Sequence, residues 1–386
     1  MTSTTDVLRT ITRERVVHLA HRLCSVKQTD GREGPLAAVV AELLEHRRID
    51  IHVDPVLPGR PNVIARVRGT GTGPSLLLNG HLDAGYAPHW SRDPHNPWVV
   101  ENRMYGAGIS DMLGGLASMM AAVEAAAQIE PLSGDLVLLA NMHHDSNGLG
   151  TKYALATGDE WPEYAINGEP TSNTILTAHG GCVKFEIIFK GRLAHVSRLE
   201  EGIDALAAAA DVYQALRILR FAHEPHPILT GLPKLVIGEM RAGSAPALVP
   251  DEATLRGDLR TVPGMSWATV RADLERLVTG ICPPQVNARV NCLVRQRAFV
   301  GRKTGPLCAA ICAGHRLAYN TEPAIDVDVS AQSFVTDAVD MAAAGIESVI
   351  YGPAAWHYQP DEYIDIDEMT NAARVYLAAA LHLMSA

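Results

Sequence analysis

The sequence predicts an α/β fold: a central, mostly parallel sheet flanked by helices, carried by both ends of the chain and interrupted by an inserted α+β unit. Three observations predict it. Strand and helix patterns alternate through the first half, which implies a sheet covered on both faces. From about Gly180 the pattern changes to a self-contained βαββαβ order of the ferredoxin-like kind. Histidines and carboxylates recur directly after apolar runs, where an open parallel sheet gathers its ligands.

The elements follow in order. Val16 to Cys24 and Leu36 to His46 have the apolar spacing of amphipathic helices, and Ile49 to Val56 and Asn62 to Val67 read as strands. Leu113 to Ile129 reads as an Ala/Met-rich helix, in which Met119 and Met120 are core filling. The inserted unit is a strand at Val183 to Lys190, a helix at Ile203 to Phe221, strands at Lys234 to Met240 and Glu252 to Arg260, a helix at Ser266 to Thr279 and a strand at Asn287 to Val294. After about Arg297 the chain returns to helix, strand and helix, so the expected domains are 1–179 with 297–386, and 180–296. Gly69 to Gly73 and Gly243 to Pro246 read as turns.

Composition narrows the function. A chain of 386 residues suggests about two domains at ~150 residues each. With 47% hydrophobic and 20% charged residues and no run of ~18 apolar residues, a membrane protein is not expected. Met1 to Arg15 lacks the basic start and apolar core of a secretory signal, so a cytoplasmic location is expected. The net charge of −10 argues against nucleic acid as a partner. Six scattered cysteines without a CxxC pair read as free thiols.

The candidate chemistry begins at Gly80-His81-Leu82-Asp83, directly after Ser75-Leu76-Leu77-Leu78-Asn79. Imidazole nitrogen and carboxylate oxygen suit Zn²⁺. Further donors stand in the same structural position: Asp111 before Gly114-Gly115, Asp145 after the run from Asp135 to Met142, Glu169 after Tyr164 to Gly168, and His357 after Ser348 to Tyr351. Five such residues at the ends of neighbouring elements read as one metal site. His89, His95, His179 and His315 are assigned no role.

These residues, with Met104-Tyr105-Gly106-Ala107-Gly108-Ile109-Ser110-Asp111, Gly168-Glu169-Pro170-Thr171, Gly191 to His195, Asp258-Leu259-Arg260-Thr261, Thr336-Asp337-Ala338 and Gly352-Pro353 leading to Pro360-Asp361-Glu362, carry a resemblance over nearly the whole chain. The sequence resembles the di-zinc amidohydrolases that include acetylornithine deacetylase, succinyl-diaminopimelate desuccinylase, aminoacylase and glutamate-releasing carboxypeptidases. The resemblance implies two zinc ions per chain, with cobalt or manganese able to substitute. Asp111 would bridge them, one ion also held by His81 and Glu169, the other by Asp145 and His357. Asp83 would accept the second ring N–H of His81. The inserted unit would be a lid and the interface of a homodimer, with His195 polarising the scissile carbonyl and Arg260 holding a substrate carboxylate. The activity implied is hydrolysis of the amide of an N-acyl amino acid or related small carboxylate by a hydroxide shared between the metals.

Two positions depart from the family pattern. Where the family has a glutamate base followed by a ligating glutamate, this chain has His144-Asp145; where it has a substrate-binding asparagine, this chain has Ala247. Histidine can transfer protons near neutral pH. Three outcomes are open: His144 serves as base in a hydrolase, it binds metal and alters the reaction, or hydrolysis is lost. The competing classes are therefore a non-hydrolytic metal-dependent enzyme of specialised metabolism and a catalytically silent binding protein.

Overall fold

In the computed structural model, the described residues are all but 1–3, 28–30, 130, 159, 328–332, 356–358 and 386, together with the side chains of Asp145 and Ser146. The chain divides into two compact units. One comprises Met1–Ala178, Phe299–Ala331 and Thr336–Ala386; the other comprises His179–Ala298 and Gln332–Val335.

The first unit is built on a six-stranded sheet in the order Asp50–Leu57, Arg60–Val67, Leu136–Asn141, Leu76–His81, Tyr164–Asn167, Glu347–Ile350. The last four strands run parallel, and the first two form an antiparallel hairpin on one edge. Leu76–His81 and Leu136–Asn141 are buried at every position, as strands covered on both faces must be. Helices Arg13–Cys24, Gly114–Gln128, Pro306–Tyr319 and Ile366–Met384 pack around them. Arg13–Cys24 starts cleanly because the Thr12 hydroxyl accepts from the Arg15 N–H.

Gly114–Gln128 is rich in alanine, methionine and glycine, and its one charged residue, Glu124, accepts from Arg15 Nε at 2.9 Å. Extended back to Ile109, the segment is long and apolar enough to cross a membrane by composition, which the sequence reading did not anticipate. It is a core helix: 89% of that window is buried inside the protein.

The second unit is a four-stranded antiparallel sheet in the order Lys234–Ala242, Glu252–Thr261, Gly181–Lys190, Asn287–Gln296, with helices Ala205–Leu216 and Trp267–Ile281 packed on it. In chain order this is 2-3-1-4, the arrangement a βαββαβ sequence yields. Its core comes from alternate positions, among them Phe185, Ile187, Phe189, Leu255 and Leu259. The six cysteines are free thiols.

Candidate metal centre

The site lies at the carboxyl ends of the parallel strands. His81 ends its strand, Glu169 follows Tyr164–Asn167 by two residues, and His144 follows Leu136–Asn141 by three. Asp111 comes from the irregular turn Ile109–Leu113, entered through Gly108 at φ 68°, a left-handed conformation that favours glycine. The Gly108 N–H donates to Glu362 Oε1 at 2.7 Å, and the Ser110 hydroxyl donates to Glu362 Oε2 at 2.5 Å. Glu362 thereby pins the turn that presents Asp111.

His81 Nε2 lies 3.3 Å from Asp111 Oδ1 and 3.5 Å from Glu169 Oε1. Its Nδ1–H donates to the backbone carbonyl of Asp83 at 2.7 Å, which leaves Nε2 as the lone-pair nitrogen. Asp83 was expected to accept the second ring N–H of His81, and its backbone carbonyl is the atom that does so. Its carbonyl, not its carboxylate, fixes the ring; Oδ1 is 3.8 Å from Nδ1 and accepts the His144 backbone N–H at 3.0 Å. The chain turns at Leu82, whose N–H is held by the Asn141 carbonyl, and this brings the Asp83 carbonyl to the imidazole Nδ1.

His144 stacks on His81, ring centroids 4.6 Å apart and planes 7° from parallel. Its Nε2 is 3.3 Å from Glu169 Oε1 and its Nδ1 is 3.2 Å from Asp337 Oδ1. The Nδ1–Oδ1 approach has ion-pair length, yet neither atom has a hydrogen-bond partner. Among the described residues, His81, His144 and Glu169 form a buried group whose ligand atoms lie within 4.8 Å of one another.

The donor set fits a cation. Glu169 Oε1 is buried with no hydrogen-bond partner, an expensive state for a carboxylate oxygen unless positive charge meets it. Burial, and next the Asp111 charge, push the Glu169 carboxyl up to about 8. Burial opposes the His144 imidazolium, yet the Asp337 and Glu169 carboxylates outweigh it and lift that ring to about 10. Burial likewise opposes the Asp337 charge, but His144 holds its carboxyl below the usual range. Because an imidazole lone pair lies in its ring plane, two near-parallel stacked rings do not aim at one ion between them. His81, with Asp111 and Glu169 beside its Nε2, has the ligand geometry, and His144 flanks it.

The floor beneath the donors is made of glycines and thioethers. A Cβ at Gly80 would meet the Met112 methyl at 2.8 Å, one at Gly115 would meet it at 3.3 Å and one at Gly168 at 2.9 Å. The His81 N–H points to Met112 Sδ at 3.4 Å.

The remaining expected residues are placed as follows. Asp145 lies in the short helix His144–Asn147, its side chain outside the described residues, and His357 is outside them altogether. Arg260 and His195 belong to the second unit. Arg260 Nε pairs with Asp258 Oδ1 at 2.9 Å and its NH1 donates to the Ser333 carbonyl at 3.1 Å, so part of its fork is already engaged. His195 Nδ1 accepts from the Ser197 N–H at 3.2 Å, which puts the proton of the neutral ring on Nε2.

Sequence reasoning gave Asp337 no role, and it passed over three buried asparagines. Asn79, Asn141 and Asn167 each stand at or near the end of an otherwise apolar parallel strand. A polar amide in each of three such runs, two or three residues ahead of His81, His144 and Glu169, was the available signal.

Residues 77–382 match the family model described as Peptidase family M20/M25/M40. The chain belongs to that family, a class of hydrolases acting on amide bonds. Acetylornithine deacetylase of Vibrio cholerae serotype O1 is 32% identical over 259 residues, a match covering 63% of this chain and 66% of that protein, just under two thirds of its length. Acetylornithine deacetylase of Pectobacterium carotovorum is 29% identical over 342 residues, 82% of each chain. In three dimensions the chain is similar to human carnosine dipeptidase 1, with TM-score 0.81, 15% identity and 99% of both chains covered. It is also similar to the YXEP protein of Bacillus subtilis, described as a dinuclear metal binding peptidase, with TM-score 0.69, 17% identity and coverage of 98% and 99%.

Proposed function

We propose that this protein is a zinc-dependent amidohydrolase that removes the acyl group of an N-acyl amino acid or related small carboxylate, with N-acetylornithine the first compound to try. One observation carries the reading: His81 Nε2, Asp111 and Glu169 Oε1 meet at the ends of parallel strands, and the buried Glu169 oxygen has no hydrogen-bond partner. In this reading His81, Asp111 and Glu169 hold one ion, and Asp111, Asp145 and His357 hold a second. When bound, the ions polarise the amide carbonyl and acidify water.

The chain's own groups do the rest. His144 takes a proton at Nε2 and returns it to the departing amine, a role worth ~10²–10⁴-fold in rate. The stacked arrangement supports this role over ligation. Arg260 anchors the substrate carboxylate and His195 donates Nε2–H toward the carbonyl; resemblance to the family supports both, as it does a lid role for the second unit and a homodimer.

Zinc measured by elemental analysis, beside a screen of N-acyl amino acids, tests the reading. About two ions per chain with amide turnover, and its loss in His144→Ala at unchanged zinc, are expected. Bound zinc with no turnover on any amide would move the non-hydrolytic reading to first place.

A further inference from the structure

Beyond the end of strand Leu136–Asn141, three consecutive backbone N–H groups are each taken by a side-chain oxygen from a different segment. The Met142 N–H donates to Asn62 Oδ1 at 3.0 Å, the His143 N–H to Glu33 Oε1 at 3.2 Å and the His144 N–H to Asp83 Oδ1 at 3.0 Å. Between them the chain bends through His143 at φ 56° and ψ 42°. That left-handed conformation is uncommon for a residue with a side chain and persists where its surroundings over-determine it. Glu33 is fully buried and also accepts from Arg60 Nε at 2.6 Å and Nη2 at 2.5 Å. Its seat is built locally: the Gly34 N–H donates to the Gly59 carbonyl at 3.0 Å, and a Cβ at Gly34 would meet that carbonyl at 2.8 Å. Glycine there lets the start of helix Gly34–Leu43 close onto the turn before Arg60. A buried ion pair is a poor source of stability, since desolvation offsets the attraction. Here one of its oxygens has a second task, because Oε1 reaches the backbone of the bend that delivers His144.

We propose that Glu33 is a positioning residue for His144: by holding the His143 N–H it fixes the left-handed bend, and the bend lays the His144 ring against His81, centroids 4.6 Å apart. Of the three acceptors, Glu33 alone grips the residue that is itself left-handed; Asn62 holds the residue before it and Asp83 the residue after. Without that grip His143 relaxes to a negative φ, which swings the next residue and its ring off the stack. A reacting group displaced by ~1 Å can lose ~10²-fold in rate. Glu33 acts through the backbone alone, so its effect falls on the placement of the ring. This inference rests on His144 being the proton-transfer group of the proposed hydrolase.

The test compares the wild type with two double variants, all kept in excess zinc. Glu33→Leu/Arg60→Leu removes the acceptor and the charges together, whereas Glu33→Gln/Arg60→Leu removes the charges and keeps an oxygen for the His143 N–H. Nuclear cross-relaxation between the ring protons of His81 and His144, assigned with His81→Gln and His144→Gln, reports the stack. The wild type and the glutamine variant should show it and the leucine variant should lose it. In the leucine variant alone, kcat should fall ~10²-fold with KM little changed. Wild-type cross-relaxation in the leucine variant, its loss in both variants, or its loss at wild-type kcat overturns the proposal. Should the leucine variant not fold, Glu33→Asp keeps the charge pair and draws the acceptor back by one methylene; loss of the ring contact is then expected, and its retention overturns the idea equally. If the wild type hydrolyses no amide at all, the functional reading fails, while the ring contact still decides whether Glu33 places His144.

Discussion

Asn79 and Asn167 face each other as register partners on neighbouring parallel strands, and the side-chain amide of Asn167 donates to that of Asn79 at 2.7 Å. Both are buried. Replacing Asn79 by Leu leaves the Asn167 amide N–H and the Asn141 amide oxygen unpaired at ~1–3 kcal/mol each. Urea denaturation should show a loss of about 2–5 kcal/mol, and a loss below about 0.5 kcal/mol would mean that water replaces the missing amide.

Glu362 predicts a pH dependence. Burial pushes its carboxyl from 4.5 to about 7 against the hydrogen bonds from Ser110 and Gly108. The folded chain therefore holds this proton more tightly than the unfolded chain. The associated stability is full below the ordinary carboxyl value and is lost as pH rises through about 7. Between pH 5 and 8, chelator-treated wild type should lose about 2–3 kcal/mol more than Glu362→Gln. Parallel curves for the two proteins would refute the assignment.

Gly352 sits against backbone rather than yielding side chains: an added Cβ would press on the Gly168 carbonyl and approach the Glu169 carbonyl at 2.5 Å. Gly352→Ala should cost about 1–3 kcal/mol. Because the pressure falls on the residue carrying a metal-site carboxylate, zinc affinity measured by competition with a chelator should also fall. Wild-type affinity in this variant would show that the strand end absorbs the strain without moving Glu169.

Glu33 is fully buried, accepts from Arg60 Nε at 2.6 Å and accepts the His143 N–H at 3.2 Å. Removing one member of a buried pair strands the other, so Glu33→Ala should destabilise by ~3–5 kcal/mol. Thermal melts of Glu33→Ala and of a Glu33→Leu/Arg60→Leu double variant separate the causes: the double variant should recover much of the loss.

Removing metal should lower the melting temperature reversibly, because ions that bind the folded chain alone stabilise it by ~4 kcal/mol at a thousandfold excess over Kd. Equal melting temperatures with chelator and with added zinc would contradict the metal assignment of His81, Asp111 and Glu169.

Much of this was legible in the sequence. His81, Asp111 and Glu169 could be found because each follows an apolar run or a glycine-rich turn, and the two-unit division followed from the change to βαββαβ order. Asp83 was placed beside the His81 ring, but which of its atoms meets the imidazole was not legible, since a carbonyl's direction depends on a chain turn that residue types do not encode. Asp337 was unreadable in its role because its partners Asn141 and His144 lie far along the chain and meet it only across the sheet. The segment carrying Asp337 was noticed as a motif, without chemistry to attach to it.

The glycine and thioether floor has a practical consequence. Two ligand-bearing segments, the strand ending at His81 and the residues after Tyr164–Asn167 that carry Glu169, both come down on the flexible methyl group of Met112 through Gly80 and Gly168, the second also on that of Met119. The gap between the donors is therefore gauged largely by thioether side chains that would hold no ion themselves. A bulkier or slimmer residue at position 112 would widen or narrow the aperture from below, offering a dial for ion-size preference that leaves every ligand in place.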